Sequence, residues 1–290
     1  MSKVPSFLSA SGKIHRNCIS GVYPASKTER QTVSEEKVKW NSPFPDYNPP
    51  NYTSDKLKKA PYADPEIGDK EFQPRWNAQD GLINRKSHEG DYLVVDEYPQ
   101  NPVGRTGLRG RGKLGRWGPN HAGDPIVTRW KSDKHGTTHS DSQRGKRILQ
   151  FVSIQRGDSG EWAFPGGMVD PGENVEETIR REFKEECMDS EQLTEDEKST
   201  NKNLVEQFFK NGHEVYRGYV DDPRNTDNAW IETVAVNYHD ETGSNLGTLT
   251  LKAGSDAKNV QWKDATADLK LHANHSEILQ KVVERLGAQW

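Results

Sequence analysis

The segment from Phe164 to Asp189, FPGGMVDPGENVEETIRREFKEECMD, constrains this chain most, because it prescribes turns, a helix and the buried side of that helix. Phe164-Pro165-Gly166-Gly167 and Pro171-Gly172 mark sharp turns. Beyond them Val175, Ile179, Phe183 and Cys187 recur at i+4 steps, which predicts a helix over about 173–189 with one apolar stripe. At about 100° per residue, Glu182, Glu185 and Glu186 fall within one arc beside that stripe. Two carboxylates about 5 Å apart repel by about 3 kcal/mol at an effective dielectric near 20. Solvent could relieve that repulsion, as could Arg180, Arg181 and Lys184 on the same helix, or a divalent cation. An all-oxygen donor set of this kind suits Mg²⁺ or Mn²⁺ better than zinc.

The flanking sequence predicts a sheet around this helix. Ile126–Trp130 and Arg147–Ile154 are rich in strand formers, and further strands are expected at about 214–221, 229–239, 248–252 and 259–263. A second helix should open at the capping-box pattern Thr194–Glu197 and stop at Asn211-Gly212. A last helix over about 274–286 places Ile278, Leu279, Val282, Val283 and Leu286 on its inner face. Strands mixed with a few helices predict an α+β fold of mixed α/β layers, a sheet between helices. Residues 1–75 differ: prolines from Pro43 to Pro74 exclude long helices, and interspersed rings such as Trp40, Tyr47 and Trp76 predict a lobe held by ring–proline contacts. The Gly/Arg stretch Gly104–His121 lacks the Gly-Lys-Ser/Thr ending of a P-loop and reads as a solvated basic loop whose charge would suit an anionic ligand.

Composition closes off several classes. Only 31% of residues are hydrophobic, yet the net charge is −4 and eight tryptophans are present, which favours a folded chain with a thin core over disorder. No run approaches the roughly 18 apolar residues of a membrane helix, so direct membrane insertion is not expected. The N-terminus lacks the apolar region of a secretory signal, and the two cysteines form no disulfide framework, so a reducing, cytoplasmic setting is expected. The near-neutral charge argues against nucleic acid as a partner.

The run Gly167-x5-Glu173-x7-Arg181-Glu182-Phe183-Lys184-Glu185-Glu186 matches the Nudix box; Met188 and Asp189 depart from it, where glycine and an apolar residue are usual. Outside the box, Asn101–His121, the DDPRNTDNAW run at Asp221–Trp230, and Asn237–Gly243 make the chain resemble the ADP-ribose pyrophosphatase branch of the Nudix hydrolases. It is also similar to the C-terminal cytosolic domain of melastatin-type, ADP-ribose-gated cation channels, through Tyr47–Pro50, Ile231–Val236 and the ending from Leu271 to Trp290.

The resemblance implies a Nudix fold over 119–290 preceded by a cap lobe over 1–118, and Mg²⁺-dependent hydrolysis of ADP-ribose to AMP and ribose 5-phosphate. It implies metal ligation by Glu182, Glu185, Glu186 and the Gly167 carbonyl, with Glu173 and Arg181 completing the catalytic set. It places His121, Asp222, Arg224, Asn274 and His275 against the ligand, and Phe164 or Trp117 is a candidate for stacking on adenine. Asn274 also reads as a helix N-cap opposite Glu277. In a channel, the partners would be the remaining channel chain and neighbouring subunits. Competing expectations are a sensing or assembly domain in which hydrolysis is secondary, a free-standing pyrophosphatase, and a hydrolase of another diphosphate.

Overall fold

The computed structural model describes residues 15–133, 138–140, 145–188, 204–245, 251, 253 and 257–290. They group into two units: the first lies within Met1–His121, Asp170–Gly172 and Gly218–Glu232, the second within Ala122–Val169, Glu173–Arg217 and Thr233–Trp290.

Among its described residues the first unit has no α-helix, as its prolines require. It is built on turns and short strands: β1 (Asn51–Thr53), β2 (Gln79–Asp80), β3 (Ile83–Asn84), β4 (Val94–Val95), β5 (Tyr98–Pro99) and β6 (Arg109–Gly112). β1 pairs with β6 in parallel, while β2–β3 and β4–β5 are antiparallel hairpins. So little regular pairing leaves many buried carbonyls to satisfy, and each unpaired one would be costly. Buried arginines take that task. Arg105 donates to the carbonyls of Lys37, Lys39, Trp40 and Ser42 at 2.7–3.1 Å, with its guanidinium carbon 5.2 Å from the ring centres of Trp40 and Tyr47. Arg30 reaches the carbonyls of Thr106, Pro223 and Asn225, and Arg85 forms a buried bidentate pair with Asp64.

The Gly/Arg stretch is therefore not the solvated loop expected from sequence: Arg105 and Arg111 are buried and hold the lobe together. Its glycines allow that closeness. Gly107 has φ +74°, and a Cβ there would lie 1.9 Å from the Gln31 carbonyl oxygen. The aromatic rings meet arginines here.

The second unit contains the sheet strands β7 (Gly118–Trp130), β8 (Leu149–Arg156), β9 (Trp162–Ala163), β10 (Gly167–Met168), β11 (His213–Tyr219), β12 (Ala229–Asp240) and β13 (Ala257–Asp264), some of which begin or end beyond its limits. The order is β11-β12-β7-β8-β13, with β10 paired to β7 and β9 to β8. β7–β8 and β8–β13 are antiparallel. Contacts between β7 and β12 climb together from Asp124–Thr233 to Ile126–Asn237 to Thr128–His239, so these two run parallel and the sheet is mixed.

Alternation along the strands separates two cores. Val127 and Val152 pack with Ile179, Phe183 and Cys187 of helix α1 (Val175–Cys187). Their neighbours Ile126 and Phe151 point the other way, against Ile278, Leu279, Val282 and Val283 of helix α2 (His275–Leu286). The sheet between helices is thus an α+β sandwich, as anticipated. β7 reaches back to Gly118, well before the Ile126 start expected; its glycine- and proline-rich opening looks like a loop in sequence. Gly123 belongs there because a Cβ would press to 3.0 Å from the Ile179 side chain. The second expected helix falls largely on residues outside those described, with 204–208 helical, and the 248–252 strand likewise lies mostly outside them.

In the first unit His15 is fully buried, with Nε2 3.2 Å from the Gly104 carbonyl oxygen. Burial lowers its pKa from 6.5 to about 4. The unfolded chain therefore binds a proton that the folded one refuses, so His15 weakens the fold as pH drops below 6.5 and continues to do so down to about 4. Between pH 7 and pH 5 this should remove about 2 kcal/mol of stability. A His15→Gln variant should show a shallower fall in its urea midpoint across that interval; equal slopes in the two proteins would refute the assignment.

Candidate active site

β10 and the start of α1 bring the acidic patch together. Gly167 pairs with Gly123, and the chain then turns into the N-cap Asn174. Asn174 Oδ1 accepts from the Glu177 N–H at 3.0 Å, while Glu177 Oε2 accepts from the Asn174 N–H at 2.9 Å. That capping box starts the helix two residues later than the apolar pattern predicts. Glu173 is left just outside, where Thr178 Oγ1 donates to it at 2.7 Å.

Arg181 organises the carboxylates around it. Its Nε and Nη2 grip both oxygens of Glu173 at 3.0 Å each, and Nη1 donates to Glu182 at 2.7 Å and Glu185 at 3.3 Å. Nη2 also reaches the Met168 carbonyl of β10 at 3.1 Å. The eight-residue gap to Glu173 is thus bridged directly. Hydrogen bonding to Glu173, together with the charges of Glu182 and Glu173, raises the Arg181 pKa despite partial burial. Arg180 instead pairs with Glu176 at 3.3 Å.

The carboxylates differ in setting. Glu185 is exposed, whereas Glu182 and Glu186 are withdrawn from water, and burial raises the pKa of both. For Glu186 the value reaches about 8; its compensation is the Gly166 N–H, which donates at 2.8 Å. Among the described residues no lysine or arginine pairs with Glu186. Gly167 is required for the close approach of β10, since a Cβ there would fall 2.2 Å from Glu182 Oε1.

A divalent cation fits this donor set. The ligands on offer are oxygens of carboxylates and a carbonyl, and burial disfavours the charged form of Glu186 beside Glu182, the form that a cation would stabilise. The helix carboxylates are gathered by Arg181; among the described residues the three-donor groups already converging within 4.8 Å are His15–Cys18–Asp221 and His88–His121–Glu232.

The other expected contacts are divided between the two units. In the first unit Arg224 forms a bidentate pair with buried Asp222, Nε and Nη2 each at 2.8 Å, so its fork is already engaged. His121 lies beside His88, ring centres 4.8 Å apart. Trp117 is buried and donates to the Pro65 carbonyl. In the second unit Phe164 is buried, edge-on to Phe151 and stacked on His275 at 4.7 Å and 11°. Its ring therefore belongs to the core, and the stacking role expected from sequence does not fit. His275 Nδ1 accepts from the Phe164 N–H at 3.0 Å. Asn274 stands at the N-cap of α2 but makes no side-chain cap bond, and its Oδ1 is buried without a hydrogen-bond partner. Sequence reasoning missed Glu232 and His88. A lone acid in the apolar run AWIETVAV could have signalled Glu232, whereas nothing in its surroundings marks His88.

Comparison with known proteins fits this geometry. Residues 33–118 match the family described as NUDT9-like, N-terminal domain, and residues 141–280 match the NUDIX domain. The chain is 52% identical over 278 residues to the ADP-ribose pyrophosphatase, mitochondrial, of Rattus norvegicus, covering 95% of this chain and 79% of that one. It is 48% identical to the putative nudix hydrolase 6 of Caenorhabditis elegans, covering 93% and 97% of the two chains. It is 46% identical to the transient receptor potential cation channel subfamily M member-like 2 of Nematostella vectensis, covering 95% of this chain and 18% of that one. The chain belongs to the Nudix family, in the branch that carries a NUDT9-like N-terminal domain.

Gly167→Ala should push Glu182 away from β10 and raise the Kd for Mn²⁺, read by electron paramagnetic resonance, by about 10-fold or more. An unchanged Kd would show that the approach of β10 to Glu182 plays no part in holding the cation.

Proposed function

We propose that this chain hydrolyses ADP-ribose to AMP and ribose 5-phosphate with Mg²⁺ (or Mn²⁺) held at the acidic patch of α1. The observation that carries this reading is the Arg181 fork, which gathers Glu173, Glu182 and Glu185 beside a strand kept close by Gly167. The identity shared with a rat protein named ADP-ribose pyrophosphatase supports the substrate.

Glu182, Glu185 and Glu186, with the Gly167 carbonyl, would hold the cation. Bound there, a divalent ion supplies neutralisation of the diphosphate oxygens and a more acidic water. The chain's own groups set the geometry. Glu173 fixes Arg181, Arg181 fixes two of the three glutamates, and the Gly166 N–H fixes the third. In the reaction one P–O bond of the bridge breaks, the oxygen of water ends on that phosphorus, and the bridging oxygen leaves with the other phosphate. Judged within its own unit, Arg224 offers a phosphate a fork that Asp222 keeps oriented, and the buried Asn274 Oδ1 offers an acceptor to a hydroxyl or amine. His275, with Nδ1 accepting from backbone, would present Nε2 as a donor.

No helix among the described residues is long and apolar enough to cross a membrane. Cys18 and Cys187 are free buried thiols, as a reducing compartment such as the cytosol allows. The likeness to the Nematostella vectensis channel subunit favours a second reading, in which the same site serves a channel and neighbouring subunits are its partners.

The deciding experiment is incubation of the purified chain with ADP-ribose and Mg²⁺ and chromatography of the products. AMP and ribose 5-phosphate are expected; unaltered nucleotide would leave only sensing. Replacing both Glu185 and Glu186 by Gln should lower kcat by about 100-fold or more at saturating Mg²⁺ with the fold retained by circular dichroism. Full turnover in that variant would end the assignment. Arg224→Lys keeps the charge but loses the fork, so KM should rise about 10-fold with kcat little changed; an unmoved KM would remove Arg224 from the ligand.

A further inference from the structure

The first unit contains a second group of donors that the acidic patch of α1 does not use. Glu232, on β12, is fully buried, and its oxygens accept from Ser87 Oγ at 2.5 Å, from the His88 N–H at 2.5 Å and from Trp230 Nε1 at 2.7 Å. All three donors are neutral. Among the described residues no lysine or arginine pairs with this carboxylate, unlike Asp64 of the same unit, which is held by Arg85 and Arg116. An ionised carboxylate so placed needs a positive partner or must keep its proton. What stands beside it are two imidazoles, those of His88 and of His121 on β7, ring centres 4.8 Å apart and planes tilted by 58°. One donor atom from each of the three residues lies within 4.8 Å of the others.

We propose that His88, His121 and Glu232 bind a divalent transition-metal ion of the zinc class, at a site built from residues other than the Mg²⁺ ligands of α1. Two imidazole nitrogens and one carboxylate oxygen select Zn²⁺, Co²⁺ or Fe²⁺ over Mg²⁺, which prefers oxygens and water. Three protein ligands leave a further position for water. With metal–nitrogen distances near 2.0 Å, tetrahedral donors lie about 3.3 Å apart, so the group needs side-chain adjustment of about 1.5 Å or less to close on an ion. His88 and His121 are half-buried, and Nε2 of His88 and both ring nitrogens of His121 are shielded from solvent. The bonds from Ser87, the His88 backbone and Trp230 act on Glu232 as outer partners act on a metal-bound carboxylate, fixing its orientation before the ion arrives. Joining the 87–88 turn to β7 and β12, the ion would tie together strands and turns of a unit with few regular hydrogen bonds.

The other convergent group, His15, Cys18 and Asp221, lacks this character. Tyr219 Oη and the Gly104 carbonyl engage the two nitrogens of His15, and Asp221 accepts from the Arg16 and Asn17 backbone N–H groups, so neutral internal hydrogen bonds account for it.

The test uses the full chain without a histidine tag, stripped of metal by a chelator and kept in excess Mg²⁺ so that the α1 patch is filled. Titration with Zn²⁺ against a chromophoric chelator should show a single tightly held equivalent, and Co²⁺ should give visible absorption bands of a nitrogen-bearing site. His88→Gln should weaken Zn²⁺ retention by about 100-fold or more with unchanged circular dichroism, as should Glu232→Gln if it folds. Cys18→Ser should leave retention as it is. The proposal is overturned if no equivalent of Zn²⁺ is retained, in which case a protonated imidazole compensates Glu232. It is equally overturned if retention survives His88→Gln or is lost with Cys18→Ser. These readouts involve no hydrolysis, so they stand or fall apart from the proposed activity.

Discussion

Carboxylates crowded along one side of α1 repel one another, and the fork of Arg181 is what the chain supplies against that repulsion. Five donors in a rigid plane let one side chain meet Glu173 at two points and Glu182 and Glu185 at a third, which a lysine could not do. Everything around the patch serves that arrangement. Ile179 and Phe183 seat the helix on the sheet, the Asn174–Glu177 box fixes where it begins, and Gly123 and Gly167 remove the side chains that would hold helix and strands apart. The glutamates stand on a rigid element, Glu185 exposed and Glu182 and Glu186 largely withdrawn from water, and their spacing is set by packing.

The patch was legible from sequence because helices are periodic. The i+4 stripe of Val175, Ile179, Phe183 and Cys187 specifies which residues flank the buried edge, and the Pro-Gly turns specify where the chain enters. What periodicity could not supply was direction. Arg180, Arg181 and Lys184 were equal candidates for neutralising the acids, and only the path of β10 beneath the helix makes Arg181 the one that turns inward while Arg180 pairs with Glu176. Phe164 shows the opposite failure. An aromatic beside a ligand-binding turn looks available, but just past β9 it packs into the core under α2.

The first unit was far less legible, for a related reason. Without repeated elements there is no period to read, and the residues that hold it together are polar. Arg30, Arg105 and Arg111 occupy places that apolar side chains fill elsewhere, with carbonyls and ring faces as partners. In the DDPRNTDNAW run, Asn225 to Asn228 are buried, with Asp227 receiving bonds from Tyr47 and Thr106. A chain with few hydrophobic residues can still form a close-packed lobe if its guanidinium groups find carbonyls and carboxylates to bond. Hydropathy reads such residues as surface, which is why a staple looked like a solvated loop.

If Arg224 meets the phosphates as proposed, its closed pair with Asp222 has a consequence for selectivity. An incoming anion does not find an idle cation there; it meets one already satisfied by a partner from the same turn. Attachment is therefore an exchange of one oxyanion for another, and its strength is set by the difference between them. Weakly charged or badly shaped visitors gain nothing from the swap, so the turn can reject common small anions without any wall to exclude them.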